Sequence, residues 1–287
     1  MNESGTPRVA VYLDFDNIVI SRYDQIHGRN SFQRDKTAGF HNAPGRLTTA
    51  TVDVGAIIDF ASSFGTLVLT KAYADWSVDV NAEYRGQLVG RAVDLVQLFP
   101  AAAYAKNGAD IRLAVDAVED MFRLPDLTHV VIVAGDSDYI ALAQRCKRLG
   151  RYVVGIGITG SISRSLTAAC DEFVSYDALP GVPVAEPKKR ANRAKAQEPD
   201  DEPEQPDPQA AATGLLERAL RIGHEKDDAD WLHNSAVKAQ MKRMDPSFSE
   251  KSLGFKSFSD FLRSRSDVVD LDESSTTRMV RLKTNAT

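Results

Sequence analysis

The 287-residue chain encodes an α/β fold, a mostly parallel sheet flanked by helices, followed by a smaller second unit. Three observations lead there. Short apolar runs alternate with amphipathic stretches from residue 8 to about 179. The runs are nearly continuous in Val, Ile and Leu, as strands buried on both faces are. A proline-rich, charged stretch then separates this pattern from a second set of elements.

The elements follow in order. VAVYLDF (9–15) reads as the first strand. After it, residues 19–50 look irregular, with Arg22, Arg29, Arg34, Lys36, His41 and Arg46 among glycines and Pro44. So long a connection is either a basic flap beside the first strand's end or a solvated insertion. VDVGAIIDFASSF (52–64) is a helix, TLVLTKAYA (66–74) a strand, VNAEYRGQLVG (80–90) a helix and AVDLVQLFP (92–100) a strand. In DIRLAVDAVEDMF (110–122), Ile111, Val115, Val118 and Phe122 recur at helical spacing. HVVIVAG (129–135) and RYVVGIGI (151–158) are strands, each followed by a helix, DYIALAQRCKRLG (138–150) and ISRSLTAAC (162–170). Such alternation implies right-handed crossovers and a sheet covered on both faces.

Residues 183–210 contain no aromatic and scarcely any large aliphatic side chain. They cannot offset the entropy of ordering, so a disordered linker is expected across 180–210. Its basic tract KKRANRAK precedes an acidic half, a solvated polyampholyte. Beyond it, TGLLERALRIG, SAVKAQMKRM and SEKSLGFKSFSDFLRSR read as three helices, and VVDLDE with TTRMVRL as a hairpin. Three helices closed by a hairpin spell a winged-helix domain over 211–285.

Composition narrows the function. Hydrophobic content of 43% and charged content of 26% suit a soluble globular protein, and no apolar run could span a bilayer. MNESGTPR has no signal-peptide core, so the expected address is the cytoplasm, without membrane partners. Cys146 and Cys170 fit neither a disulfide framework nor a metal-ligand spacing, and Cys146 reads as a packed thiol. The net charge of -5 does not advertise a nucleic-acid binder, although a local basic surface suffices for phosphate contacts.

The chemistry resides in the acids. Asp14, Asp16, Asp136 and Asp138 all follow a strand's carboxyl end, where doubly wound sheets bind ligands. Asp110 opens the helix after Gly108. If the strands of VAVYLDF and HVVIVAG are neighbours, these carboxylates converge and need a cation or protons. Hard oxygen donors suit Mg2+ or Mn2+, which clamp phosphate oxygens during phosphodiester displacement. Asp138 or Asp110 alone could be a helix N-cap. Capping does not account for both Asp14-Phe15-Asp16-Asn17 and Gly135-Asp136-Ser137-Asp138. Asp116 lies well around the helix from Asp110, behind the ligands or at the surface.

YLDFDNI (Tyr12 to Ile18), KNGADIRLAVDAV (Lys106 to Val118), VIVAGDSDY (Val131 to Tyr139) and DEFVSYDAL (Asp171 to Leu179) resemble the NYN-domain family, a branch of the PIN-like nucleases. The resemblance covers residues 8–179. It implies a PIN-like, Rossmann-like fold and a metal-dependent ribonuclease centre of Asp14, Asp110, Asp136 and Asp138, all four catalytic and metal-binding, with Asn17 and Ser137 in support. The family often has KGVD where Asn107-Gly108-Ala109-Asp110 stands, and Phe where Tyr139 stands. Phe248, Ser252 to Phe255 and Phe258 to Leu262 resemble the LOTUS or OST-HTH winged helix. That module binds RNA or partner proteins, and its candidate RNA contacts here are Lys238, Lys242, Arg243, Arg278 and Arg281. The implied partner of the whole chain is single-stranded RNA.

LDFDN also resembles the first motif of haloacid-dehalogenase-type phosphatases, with GDSDY as their late metal motif. That motif wants a further acid where Ile140 and Ala141 stand, and no convincing catalytic Lys precedes it. A receiver-like phosphoacceptor domain would share the strand-end acids. The non-enzymatic alternative is an inactive nuclease fold serving as an RNA-binding scaffold. Against it, an anionic ligand gains nothing from four uncompensated carboxylates.

Overall fold

The structure, a computed structural model, describes residues 6–42, 45–99, 108–183, 207–227, 229–274 and 278–283. The chain divides into two compact units, 1–185 and 186–287. The first holds β1 (Arg8–Asp14), β2 (Thr66–Ala74), β3 (Asp94–Gln97), β4 (His129–Val133), β5 (Tyr152–Gly157) and β6 (Glu172–Ser175). They form one sheet in the order β3-β2-β1-β4-β5-β6, every pair parallel. Strand β6, in the DEFVSYDAL stretch, adds a sixth to the five expected. Successive residues feed opposite faces: Val9, Val11 and Leu13 enter one core, Ala10 and Tyr12 the other. That double burial is why the strand sequences show no polar alternation.

The helices of this unit are α1 (Phe15–His27), α2 (Ser31–Ala38), α3 (Arg46–Thr49), α4 (Val54–Ser62), α5 (Asp79–Ala82), α6 (Arg85–Val89), α7 (Gly108–Arg123), α8 (Ile140–Arg148) and α9 (Arg164–Ala169). The expectation of an irregular segment at 19–50 is corrected: its described part is largely helical. Tyr23, Phe32 and Phe40 pack edge to face or tilted there. Much of its basic character is internal. Arg22 is buried against Asp177 at 2.7 Å, and Arg46 pairs with Asp35 at 2.8 Å.

Helix α7 forms as expected, but of its apolar stripe only Val118 packs against the core. Ile111, Val115 and Phe122 are 64%, 57% and 71% exposed, while Leu113, Ala117 and Met121 pack on the sheet. The cause is polar. The Tyr73 hydroxyl donates to Asp116 at 3.0 Å, and the Tyr12 hydroxyl and Lys71 ammonium donate to Asp120 at 3.1 and 2.6 Å. These donors stand on the strands and would lack partners if the apolar stripe turned inward. Lys106 and Asn107, just before α7, lie outside the described residues.

The second unit holds α10 (Pro208–Asp227), β7 (Leu232–His233), α11 (Asn234–Met244), α12 (Phe258–Arg263), β8 (Val269–Asp272) and β9 (Met279–Leu282). Leu216, Leu220, Met241, Phe261, Leu262 and Val280 form its core. The antiparallel pairing of β8 with β9 matches the expected hairpin, and β7 extends it to three strands. The third helix is shorter than read from sequence, because Ser257 caps it by accepting from the Asp260 amide. The first begins earlier, at Pro208; a proline suits a first turn because its missing N–H has no helical partner to lose. Most of the expected linker, 184–206, lies outside the described residues. Among the described residues no helix is long and apolar enough to cross a membrane.

Candidate active site

Sheet order reverses between β1 and β4, the switch point where such sheets open a crevice at their carboxyl ends. Leu13 lies beside Val133, so Asp14 and the Gly135–Asp138 turn emerge side by side. Asn17 ties them together: its side-chain oxygen accepts from the Gly135 amide at 3.3 Å. A Cβ on Gly135 would meet the Ser161 carbonyl at 2.7 Å, so only glycine lets that loop cross beneath the acids.

An open cleft of about 380 Å³ lies at this point. Asp14, Asp16, Asn17, Asp110 and Asp136 line it, as does Asp75, which sequence reasoning missed. Its signal was present, since Asp75 follows β2 just as Asp14 ends β1. Asp14 is only 4% exposed. It caps α1, accepting from the Asn17 amide at 3.2 Å and from the buried Tyr139 hydroxyl at 2.8 Å. Tyr139 is a second miss; apolar burial and the neighbouring acids push its pKa up, so it stays a donor.

Electrostatics show the strain of gathering acids. Burial pushes the Asp14 carboxyl up to about 7 against its hydrogen bonds, with Asp110 and Asp16 adding repulsion. Asp110 is also raised, first by burial and then by Asp136 and Asp138. It lies within hydrogen-bonding reach of both Tyr139 and Asp14, so the two carboxyls must share a proton or a cation. Burial raises Asp16 too, although Asn81 donates to it at 2.6 Å and the Asp75 amide at 3.3 Å. Asp75 runs the other way, held low by Ser77, then Gln97, with a contribution from Lys36 of α2.

The remaining candidates sit at different distances from this centre. Asp136 starts the 3-10 turn Ser137–Tyr139, accepting from the Asp138 amide and the Ser137 hydroxyl, both at 3.3 Å. Asp138 is outside the cleft lining but near enough to act on Asp110. Asp116 is not in the cleft; it is buried beneath α7, bonded to Tyr73 and Arg112. Among the described residues no three His, Cys, Asp or Glu side chains are already arranged to hold one ion. The all-oxygen donor set nevertheless fits a hard divalent cation, which would relieve the repulsion between Asp14 and Asp110.

A family model described as the NYN domain matches residues 8–177, more than half of the chain. The chain belongs to the NYN-domain family. NYN domains are members of the PIN-like nuclease superfamily, whose α/β fold agrees with the parallel sheet found here. A model of the OST-HTH/LOTUS domain matches residues 206–281, so the NYN domain precedes a LOTUS domain in one chain. No curated protein matches. Among solved structures, a protein of unknown function from Vibrio parahaemolyticus is similar at 20% identity and a TM-score of 0.45, over 61% of this chain and 96% of that one.

In the LOTUS unit, most cations named from sequence are engaged internally. Lys238 pairs with Glu250 at 2.6 Å, and Arg278 donates to Ser259 at 2.7 Å. Arg281 pairs with Asp270 at 3.1 Å and lies over the Trp231 ring. Lys242 also lies near Glu250, lowering its pKa behind the larger effect of Lys238. Arg243 is exposed at the end of α11.

Proposed function

We propose that the chain is a metal-dependent ribonuclease that hydrolyses RNA phosphodiester bonds at the cleft between β1 and β4, with Asp14, Asp110, Asp136 and Asp138 as its acidic centre. One observation carries this reading: the Asp14 and Asp110 carboxyls lie within hydrogen-bonding reach of each other in a cleft that also gathers Asp16, Asp75 and Asp136. Such repulsion has no structural benefit, and it suits a site that takes up positive charge. Asp14, Asp110 and Asp136 would hold Mg2+ or Mn2+, with Asp138 on the exposed turn near Asp110. Bound there, the cation supplies charge for the phosphate oxygens and lowers the pKa of a water. Tyr139 and the Asn17 amide fix the Asp14 carboxyl in one orientation. Asn17 keeps the two strand ends in register, and Asn81 and the Asp75 amide restrain Asp16. In the absence of cation, the same carboxylates repel the RNA backbone.

For the LOTUS unit, a protein partner is favoured over direct phosphate contact by the internal pairing of Lys238, Arg278 and Arg281. The experiment for the nuclease is label release from single-stranded RNA with and without Mn2+. Release only with metal, lost in Asp136→Asn, supports the reading. RNA left intact under every metal condition would leave an RNA-binding scaffold.

A further inference from the structure

The cleft poses a problem of affinity. Asp14, Asp16, Asp75, Asp110 and Asp136 line it, and among its described lining residues there is no lysine or arginine. An RNA-binding site ordinarily gains its affinity from phosphate contacts to cations. Among the described lining residues those contacts are absent, and Lys36, which acts on Asp16 and Asp75, stands outside the lining. A contact to the bases would add hold on the neighbouring nucleotides.

The lining of the cleft offers one. Leu98 and Phe99 line the same cleft, and Phe99 is its single aromatic among the described residues. Phe99 is 81% exposed, the most open large hydrophobic side chain among those described. Yet its base is anchored. The Leu98 amide donates to the Ala74 carbonyl at 2.9 Å, continuing the β2–β3 ladder one residue past β3. Gln97 donates both to Asp75 at 2.9 Å and to the Leu98 carbonyl at 2.7 Å. A ring kept in water beside the acids contributes nothing to the core, and its backbone is tied through Leu98 to Ala74, the end of β2 just before Asp75.

We infer that Phe99 is a stacking platform for an unpaired base of the RNA strand whose phosphate is cleaved in the acidic cleft. The inference rests on the nuclease reading for the identity of the ligand. Every base presents a π face, so such a platform adds affinity without sequence preference. It also selects for single strands, because bases inside a duplex have both faces covered. Phe99 is thus a binding and specificity residue.

The test compares Phe99→Ala, Phe99→Leu and Phe99→Trp in the full chain carrying Asp136→Asn, a common background expected to hold RNA uncut. Three probes are used: a short oligouridylate, an abasic strand of equal length, and the oligouridylate annealed to its complement. Phe99→Ala and Phe99→Leu should weaken oligouridylate binding about tenfold, the order expected for losing one stacked base. Phe99→Trp should retain it, and oligouridylate, unlike the abasic strand, should quench the introduced indole. The abasic and duplex probes should bind all variants alike. Because the side chain is exposed, each variant should fold as its parent does. Equal loss on the abasic strand, or unchanged oligouridylate binding with no quench, overturns the inference. Cleavage by the wild-type chain with Mn2+ is scored separately. A Phe99 effect without cleavage defeats the nuclease reading alone, whereas cleavage without a Phe99 effect defeats the platform alone.

Discussion

Asp14 concentrates the physics of the site in one side chain. Burial pushes its carboxyl up from the ordinary value of about 3.8 to about 7. Between those values the native state holds a proton that the unfolded state has released. The contribution of this group to stability is therefore full below about pH 4 and falls as pH rises to about 7. Metal-free Asp14→Asn should remove that slope. Thermal melts should show it more stable than wild type at pH 8, by on the order of 2–4 kcal/mol, since asparagine caps a helix as well as aspartate does, with the gain gone by pH 4. A variant less stable than wild type at both pH values would contradict the burial account. Metal must displace the shared proton, so Mn2+ should raise the melting temperature more at pH 8 than at pH 5.

Asp116 makes the contrasting case. It accepts from Tyr73 beneath the sheet-facing side of α7, away from the cleft. Asp116→Ala should cost roughly 2 kcal/mol by leaving a buried hydroxyl unpaired, while cleavage by the folded fraction stays within a few-fold. Asp14→Asn should instead lower cleavage roughly a hundredfold or more, with RNA still bound. Similar cleavage losses for the two would refute that division. The sequence exposed Asp14, Asp110 and Asp136 because each follows a strand or a glycine turn. Asp75 was equally legible by that rule, but Tyr139 was not: its hydroxyl matters through a bond spanning 125 positions.

At the scale of elements, the parallel strands were readable because burial on both faces leaves an unbroken apolar run. Helix α7 shows where reading ends. Its period was right, but three of the four residues that set it face solvent, since the orientation depends on Tyr12, Lys71 and Tyr73 in other strands. The helices within 19–50 were hidden for a related reason. Their polar content is consumed by internal pairs such as Arg22 with Asp177, which no local pattern reveals. Strand β6 escaped notice because its four residues, EFVS, stand in a stretch poorer in Val, Ile and Leu than that around the equally short β3, yet it fixes its neighbour. A Cβ on Gly155 of β5 would meet the Phe173 ring of β6 at 2.3 Å. Gly155→Ala should destabilise by about 1–3 kcal/mol through overpacking, and Gly155→Ala with Phe173→Leu should recover part of it. Denaturant melts of both variants check the pairing; an unaffected single variant would contradict it.

The whole molecule couples an acidic NYN cleft to a LOTUS unit on the same chain. If that unit grips RNA, tethering raises its local concentration at the NYN cleft. Truncation after residue 185 should then raise the apparent KM for long RNA and leave turnover of very short oligonucleotides unchanged. An unchanged KM for long RNA would assign the unit to a protein partner, the outcome its internally paired cations favour. Cutting between the two units leaves intact the centre on which the whole account depends, the carboxylate cluster at the β1–β4 switch point. Manganese binding to the full chain, followed by loss of the free-ion electron paramagnetic resonance signal, examines that cluster directly. The account predicts saturable binding at pH 8 that weakens by pH 5 and is largely lost in Asp14→Asn and in Asp136→Asn, but survives in Asp116→Asn. Binding that is absent from wild type, or equal in all four proteins, would contradict it.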